Sequence, residues 1–100
     1  MEKSDVGKYV IVRADRAGVF AGTLSEKSGT EVVLKGARHI WYWDGAASLS
    51  EMAIRGVSKP ENCKFPEPLE RIIVLGVIEI IPCTKEARKS IEGVPAWKKA

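Results

Sequence analysis

The rhythm of hydrophobic and polar positions changes near the middle of the chain. Before residue 44 the apolar residues come in short β-branched and aromatic bursts. Residues 8–13, Lys-Tyr-Val-Ile-Val-Arg, predict a first strand, and Asp15-Arg16-Ala17-Gly18 a turn. Residues 19–24 predict a second strand, in which Gly22 marks a bulge or a close approach. The polar run Ser25-Glu26-Lys27-Ser28-Gly29 reads as a hairpin loop. Residues 31–35 predict a third strand that Gly36 breaks, and residues 38–43 a fourth.

After residue 47 the period lengthens. Ser48-Leu49-Ser50-Glu51 matches a capping box: a Ser hydroxyl accepts from the amide three residues on, and the Glu reaches back. A short helix continues to Arg55, and Gly56 stops it. Residues 57–68 hold three prolines and predict a loop. Residues 70–81 predict one strand, or two bent at Gly76, ended by Pro82. Thr84 caps a last helix through Ile91, and Gly93 and Pro95 stop it. The fold class expected is therefore α+β: a small, twisted, mainly antiparallel sheet of five or six strands with two short helices. It is expected to be a single domain, with flexible ends at 1–6 and 96–100.

Strand side chains alternate between faces. On the late strand this puts Ile72, Val74, Ile78 and Ile80 on one face and Ile73, Leu75, Val77 and Ile81 on the other. The first strand opposes Tyr9 and Ile11 to Val10 and Val12. Strands apolar on both faces need cover on both. A homo-oligomer supplies it, and so does a sheet closed on itself as a barrel; the oligomer is the expectation.

Composition narrows the classes. One hundred residues fit one domain with a thin core, and a formal net charge of +3 favours anionic partners weakly. No Lys/Arg block of a DNA-coating protein occurs. Cys63 and Cys83 are far apart and form no CxxC pair, so free thiols are expected and a metal site is not. The first residues lack an apolar signal core, and the most apolar stretch, 71–83, is too short to span a bilayer as a helix. A soluble, intracellular protein without cofactor or membrane partner is expected.

The candidate chemistry lies in Ala37-Arg38-His39-Ile40-Trp41-Tyr42-Trp43-Asp44-Gly45. The run holds two of the three Trp, one of the two Tyr and the only His. On a strand His39, Trp41 and Trp43 share one face, and Arg38, Ile40 and Tyr42 the other. Aromatic faces stack bases for roughly 1–3 kcal/mol each, and cationic side chains meet phosphates. This reading assigns stacking to Trp41, Tyr42 and Trp43, phosphate contacts to Arg38, His39 and Lys64, and orienting hydrogen bonds to Ser48 and Asn62. Asn62 and Lys64 belong to the proline-stiffened segment Ser58-Lys59-Pro60-Glu61-Asn62-Cys63-Lys64-Phe65. The competing reading is an aromatic core strand with a snorkelling Arg. Catalysis has little support: there is no Walker loop, GxGxxG or HExxH. A metal-free hydrolase using His39 stays open.

Three stretches resemble a family of small tailed-bacteriophage proteins: Gly7-Lys8-Tyr9-Val10-Ile11-Val12-Arg13, Ala17-Gly18-Val19-Phe20-Ala21-Gly22-Thr23-Leu24, and the aromatic run continued to Ser50. Cys63-Lys64-Phe65 also fits. The resemblance covers residues 7–82, and Trp-Tyr-Trp is its most specific part. It implies a phage-encoded protein acting in the bacterial host cytoplasm. By analogy with short, oligomeric phage sponges, it implies sequestration of a nucleotide-type immune signal, cyclic ADP-ribose-like or a cyclic dinucleotide, without catalysis. Two alternatives stand beside it: a single-stranded nucleic-acid-binding accessory protein, and a structural or interaction protein with no small ligand.

Overall fold

The computed structural model describes residues 5–98. Five strands and two helices alternate in an α+β arrangement: β1 (Tyr9–Ala14), β2 (Gly18–Ser28), β3 (Glu31–His39), α1 (Leu49–Arg55), β4 (Leu69–Val74), β5 (Val77–Pro82) and α2 (Lys85–Glu92). The sheet order is β4-β3-β2-β1-β5, and every neighbouring pair is antiparallel. β4 and β5 lie at opposite edges, yet only Leu75 and Gly76 join them. In a flat five-stranded sheet the edges would be about 19 Å apart. The three peptide units from Val74 to Val77 reach at most about 11 Å. The sheet therefore curls into a small barrel, and β4 and β5 are halves of one strand bent at Gly76.

Closure answers the question of the two-faced strands. Val10 and Val12 of β1 point into the barrel with Phe20, Leu24, Val32, Leu34, Val74 and Val77. Tyr9 and Ile11 point outwards and are buried under Met52 and Ala53 of α1, Phe65, and Ile91 of α2. Both faces of β1 are thus covered within one chain, so this strand gives no argument for a second subunit. The late strand differs, because Ile73, Leu75 and Ile78 stay about half exposed. One assignment of faces is also corrected. Arg13 pairs with Glu79, but Ala14 pairs with Val77, which leaves Ile78 as an extra residue. That bulge turns Val77 inwards, and Ile78 to solvent.

Two further expectations give way to pairing. The segment 25–28 is not a loop: Glu26, Lys27 and Ser28 pair with Val33, Val32 and Glu31 and carry β2 onward. Gly36 does not break the third strand. Lys35 faces Thr23 and Arg38 faces Ala21, so three steps on β3 oppose two on β2. Gly36 takes the bulge at φ +56°, and the ladder resumes beyond it. The strand then ends at His39, so residues 40–43 do not form a fourth strand of the main sheet.

The helix signals hold. Ser48 Oγ accepts from Glu51 N (3.1 Å), and Glu51 Oε1 accepts from Ala47 N (2.8 Å), one residue ahead of the cap's own amide. Thr84 Oγ1 accepts from Ala87 N (3.0 Å) and donates to Ile54 O (2.7 Å), which ties the start of α2 to the end of α1. Gly56, at φ +79°, ends α1 where any Cβ would lie 2.2 Å from Ser90 Cβ. α2 can therefore close on the turn only over glycine.

Candidate functional site

After His39 the chain leaves the main sheet and builds a second, smaller ladder. Lys64 N donates to Tyr42 O (2.8 Å), and Trp41 N and Tyr42 N approach Lys64 O at 3.2 and 3.3 Å. Phe65 bridges Ala96 in parallel, and Trp97 N donates to Phe65 O (2.9 Å). Three segments distant in sequence, around 42, 64 and 97, thus lie side by side. Residues 96–98 of the expected flexible end are held in this way, whereas residues 1–4 and 99–100 lie outside the described residues.

The ladder presents a group of exposed side chains. The indoles of Trp41 and Trp97 stack at 5.1 Å between centroids and 7° between planes. Lys64 Nζ sits 5.5 Å from the Trp41 centroid, 5.9 Å from Tyr42 and 5.5 Å from Trp97. Trp41 is 58 % exposed and Tyr42 51 %. Rings of this size are rarely left in water without a partner surface. Beside them is a concavity of about 510 Å³, lined by Tyr42, Asp44, Glu61, Asn62, Lys64 and Trp97 among others. Asn62 Nδ2 donates to Asp44 Oδ2 (3.0 Å), so amide and carboxylate are held together on its wall. The arrangement can stack a planar group, offer it one cation, and accept hydrogen bonds from it through Asp44 and Glu61.

The sequence profile of a family described as a domain of unknown function (DUF6948) matches residues 7–91. The chain belongs to that family. No curated protein matches it. The DUF6948 span includes Trp41, Tyr42 and Lys64 but ends before Trp97, so the profile match leaves out one wall of the concavity.

Of the eight residues assigned from sequence, Trp41, Tyr42, Asn62 and Lys64 come together here. Arg38 does not. It is 3 % exposed, and its Nη2 donates to Phe65 O (2.9 Å) and Pro66 O (3.1 Å), while Nη1 donates to Ile91 O (3.3 Å) and to Val94 O. Its guanidinium carbon lies 5.5 Å from the Phe65 ring centroid. Two buried side-chain polar atoms among the described residues have no hydrogen-bond partner, the Tyr9 hydroxyl and the Nε of Arg38. Burial lowers its pKa, but four carbonyl dipoles hold the cation, and none of its Nη groups faces the concavity. The phosphate role expected for Arg38 is therefore replaced by a clamp that ties α2's end to the ladder.

The other three are also elsewhere. Trp43 folds back on the outer core, and its Nε1 donates to Ala46 O (3.2 Å). Ser48 is exposed and committed to the α1 cap. His39 is half-buried and stacks on Phe20 (4.5 Å, 23°), and burial lowers its pKa, which favours the neutral ring. Both cysteines are free. Burial raises the Cys63 thiol and pushes Cys83 up to about 11, so both stay protonated near neutrality and are poor nucleophiles. Sequence reasoning missed Trp97, Asp44 and Glu61. The one signal for Trp97 was its position as a lone large aromatic before two lysines. No group of three or more His, Cys, Asp or Glu among the described residues could hold a metal, and no helix among them is long and apolar enough to cross a membrane.

Proposed function

We propose that this protein binds a nucleotide-type anion without turning it over. The observation that carries the reading is the Lys64 ammonium set among the exposed faces of Trp41, Tyr42 and Trp97. A base stacks on this platform, Lys64 meets the phosphate, and Asp44 and Glu61 accept from exocyclic amino groups of the base. Taken with the resemblance to phage proteins, the reading becomes a phage-encoded protein that sequesters a nucleotide immune signal in the host cytoplasm. Homo-oligomers would then arise through the apolar face of β4 and β5.

The test is titration of the purified protein with mononucleotides, followed by Trp fluorescence and calorimetry. Saturable quenching is expected, lost in Trp41→Ala and reduced at least tenfold in Lys64→Gln, with far-UV circular dichroism unchanged. A folded protein that shows no saturable binding of any mononucleotide at millimolar concentration ends this reading. A second reading, single-stranded nucleic acid, is favoured by the openness of the platform, since Trp41 and Tyr42 are more than half exposed. Tight oligonucleotide binding with a steep salt slope, and weak binding of mononucleotides, would select it.

A further inference from the structure

Trp97 lines two concavities. The second, of about 380 Å³, shares only this residue with the first. It is lined by the apolar Phe20, Leu69 and Ile72 and by the polar His39, Glu67 and Lys98, among others. Phe20 is itself buried beneath His39, so the half-buried imidazole is the flat ring this side presents. Both volumes fall at the lower end of the roughly 300–1,000 Å³ of small-ligand sites, so each suits one nucleoside rather than a larger whole. Lys64 lines one concavity and Lys98 the other. Lys98 pairs with Glu67 at 3.6 Å, but both side chains are 67 % exposed, and such a pair gives way easily to a phosphate.

We infer that the ligand is a dinucleotide, with one base in each concavity and its phosphodiester crossing at Trp97. The inference rests on the nucleotide reading above and names the ligand class. Trp97 separates the two bases as a common wall. Asp44 and Glu61 disfavour a phosphate deep in the first concavity, which leaves the negative charge at the crossing, where Lys64 Nζ lies 5.5 Å from the Trp97 ring centroid. Joining two weakly held nucleosides makes the second contact intramolecular, so the linked ligand gains over either half.

The experiment compares AMP with the 3′,5′-linked dinucleotide ApA by calorimetry on the native chain, on Leu69→Glu and on His39→Ala. Leu69 is half exposed at the edge of β4, so its variant keeps the fold even if loss of the His39–Phe20 stack does not. On the native chain ApA is expected to bind at least about tenfold tighter than AMP. Leu69→Glu, and His39→Ala where it folds, are each expected to bring ApA within about threefold of AMP, because both ligands are then held at the first concavity alone. Equal affinities on the native chain, or an ApA advantage that survives Leu69→Glu, would each overturn the dinucleotide and leave the mononucleotide reading standing. Failure of both probes to bind a folded native chain overturns both.

Discussion

The small ladder around residues 42, 64 and 97 puts two cations to opposite uses. Beneath it, the Arg38 guanidinium is buried and donates to four backbone carbonyls. Above it, the Lys64 ammonium stands among three exposed rings, each at 5.5–5.9 Å. The difference follows from chemistry. A planar fork with five donors can satisfy several fixed acceptors and stay charged in the interior, whereas a compact ammonium on a flexible stem is better kept in water. A basic residue beside aromatics is therefore no guide to ligand contact until its acceptors are known. Here the buried cation ties the ladder together and the other stands free of any acceptor among the described residues.

This contrast can be broken by measurement. Arg38→Met strands several carbonyls and is expected to cost about 3–5 kcal/mol in urea unfolding, a large part of the 5–15 kcal/mol typical of a domain. Arg38→Lys should recover only part of that, because one ammonium cannot span four acceptors. A loss below about 1 kcal/mol in Arg38→Met would refute the clamp. Thr84→Ala serves as a control at the other end of α2. Loss of its cap should cost about 1 kcal/mol and leave the near-ultraviolet signal of the Trp41–Trp97 pair intact. Trp97→Ala should cost about 1 kcal/mol as well, but it should abolish that signal. Lys64→Gln lies at the bottom of the scale, within about 0.5 kcal/mol of the parent, with its whole effect on ligand affinity.

The last test reads pH. Burial holds His39 below its ordinary value of 6.5, so the fold prefers the neutral ring. Its contribution is complete above pH 6.5 and is lost as pH falls below that value towards the folded pKa. His39→Asn should flatten the stability profile between pH 7 and 5; an unchanged slope would mean that another group sets it.

What could be read from the sequence was what neighbours in the chain decide. The β-branched run of β1, the Ser48 and Thr84 caps and the Gly56 stop depend on residues within one turn or one strand, and each signal held. What was misread depends on a distant partner. Whether Gly36 interrupts a strand or sits in a bulge is decided by Thr23 and Ala21 across the ladder. Whether 25–28 is loop or strand is decided by Val32 and Val33. The aromatic run includes Trp41 and Tyr42 of the small ladder, but alternation could not sort its members once the main sheet ended at His39. Trp97 was invisible as a site residue because only long-range contacts, the Ala96–Phe65 bridge, its own amide to Phe65 O and the stack on Trp41, bring it there.

The bend at Gly76 also governs how this chain can acquire its fold. β1 is made before the other described strands and the strand that covers its free edge after them, with Ile11 facing Ile81 across seventy positions of chain. A ribosome-bound nascent chain therefore holds an apolar, hydrogen-bond-hungry edge open until β5 emerges. Contacts of such long range are slow to form and expose the intermediate to association. Opening the chain at the Gly29-Thr30 turn by circular permutation would split the tight β2–β3 hairpin into a second long-range pairing, and should slow refolding further.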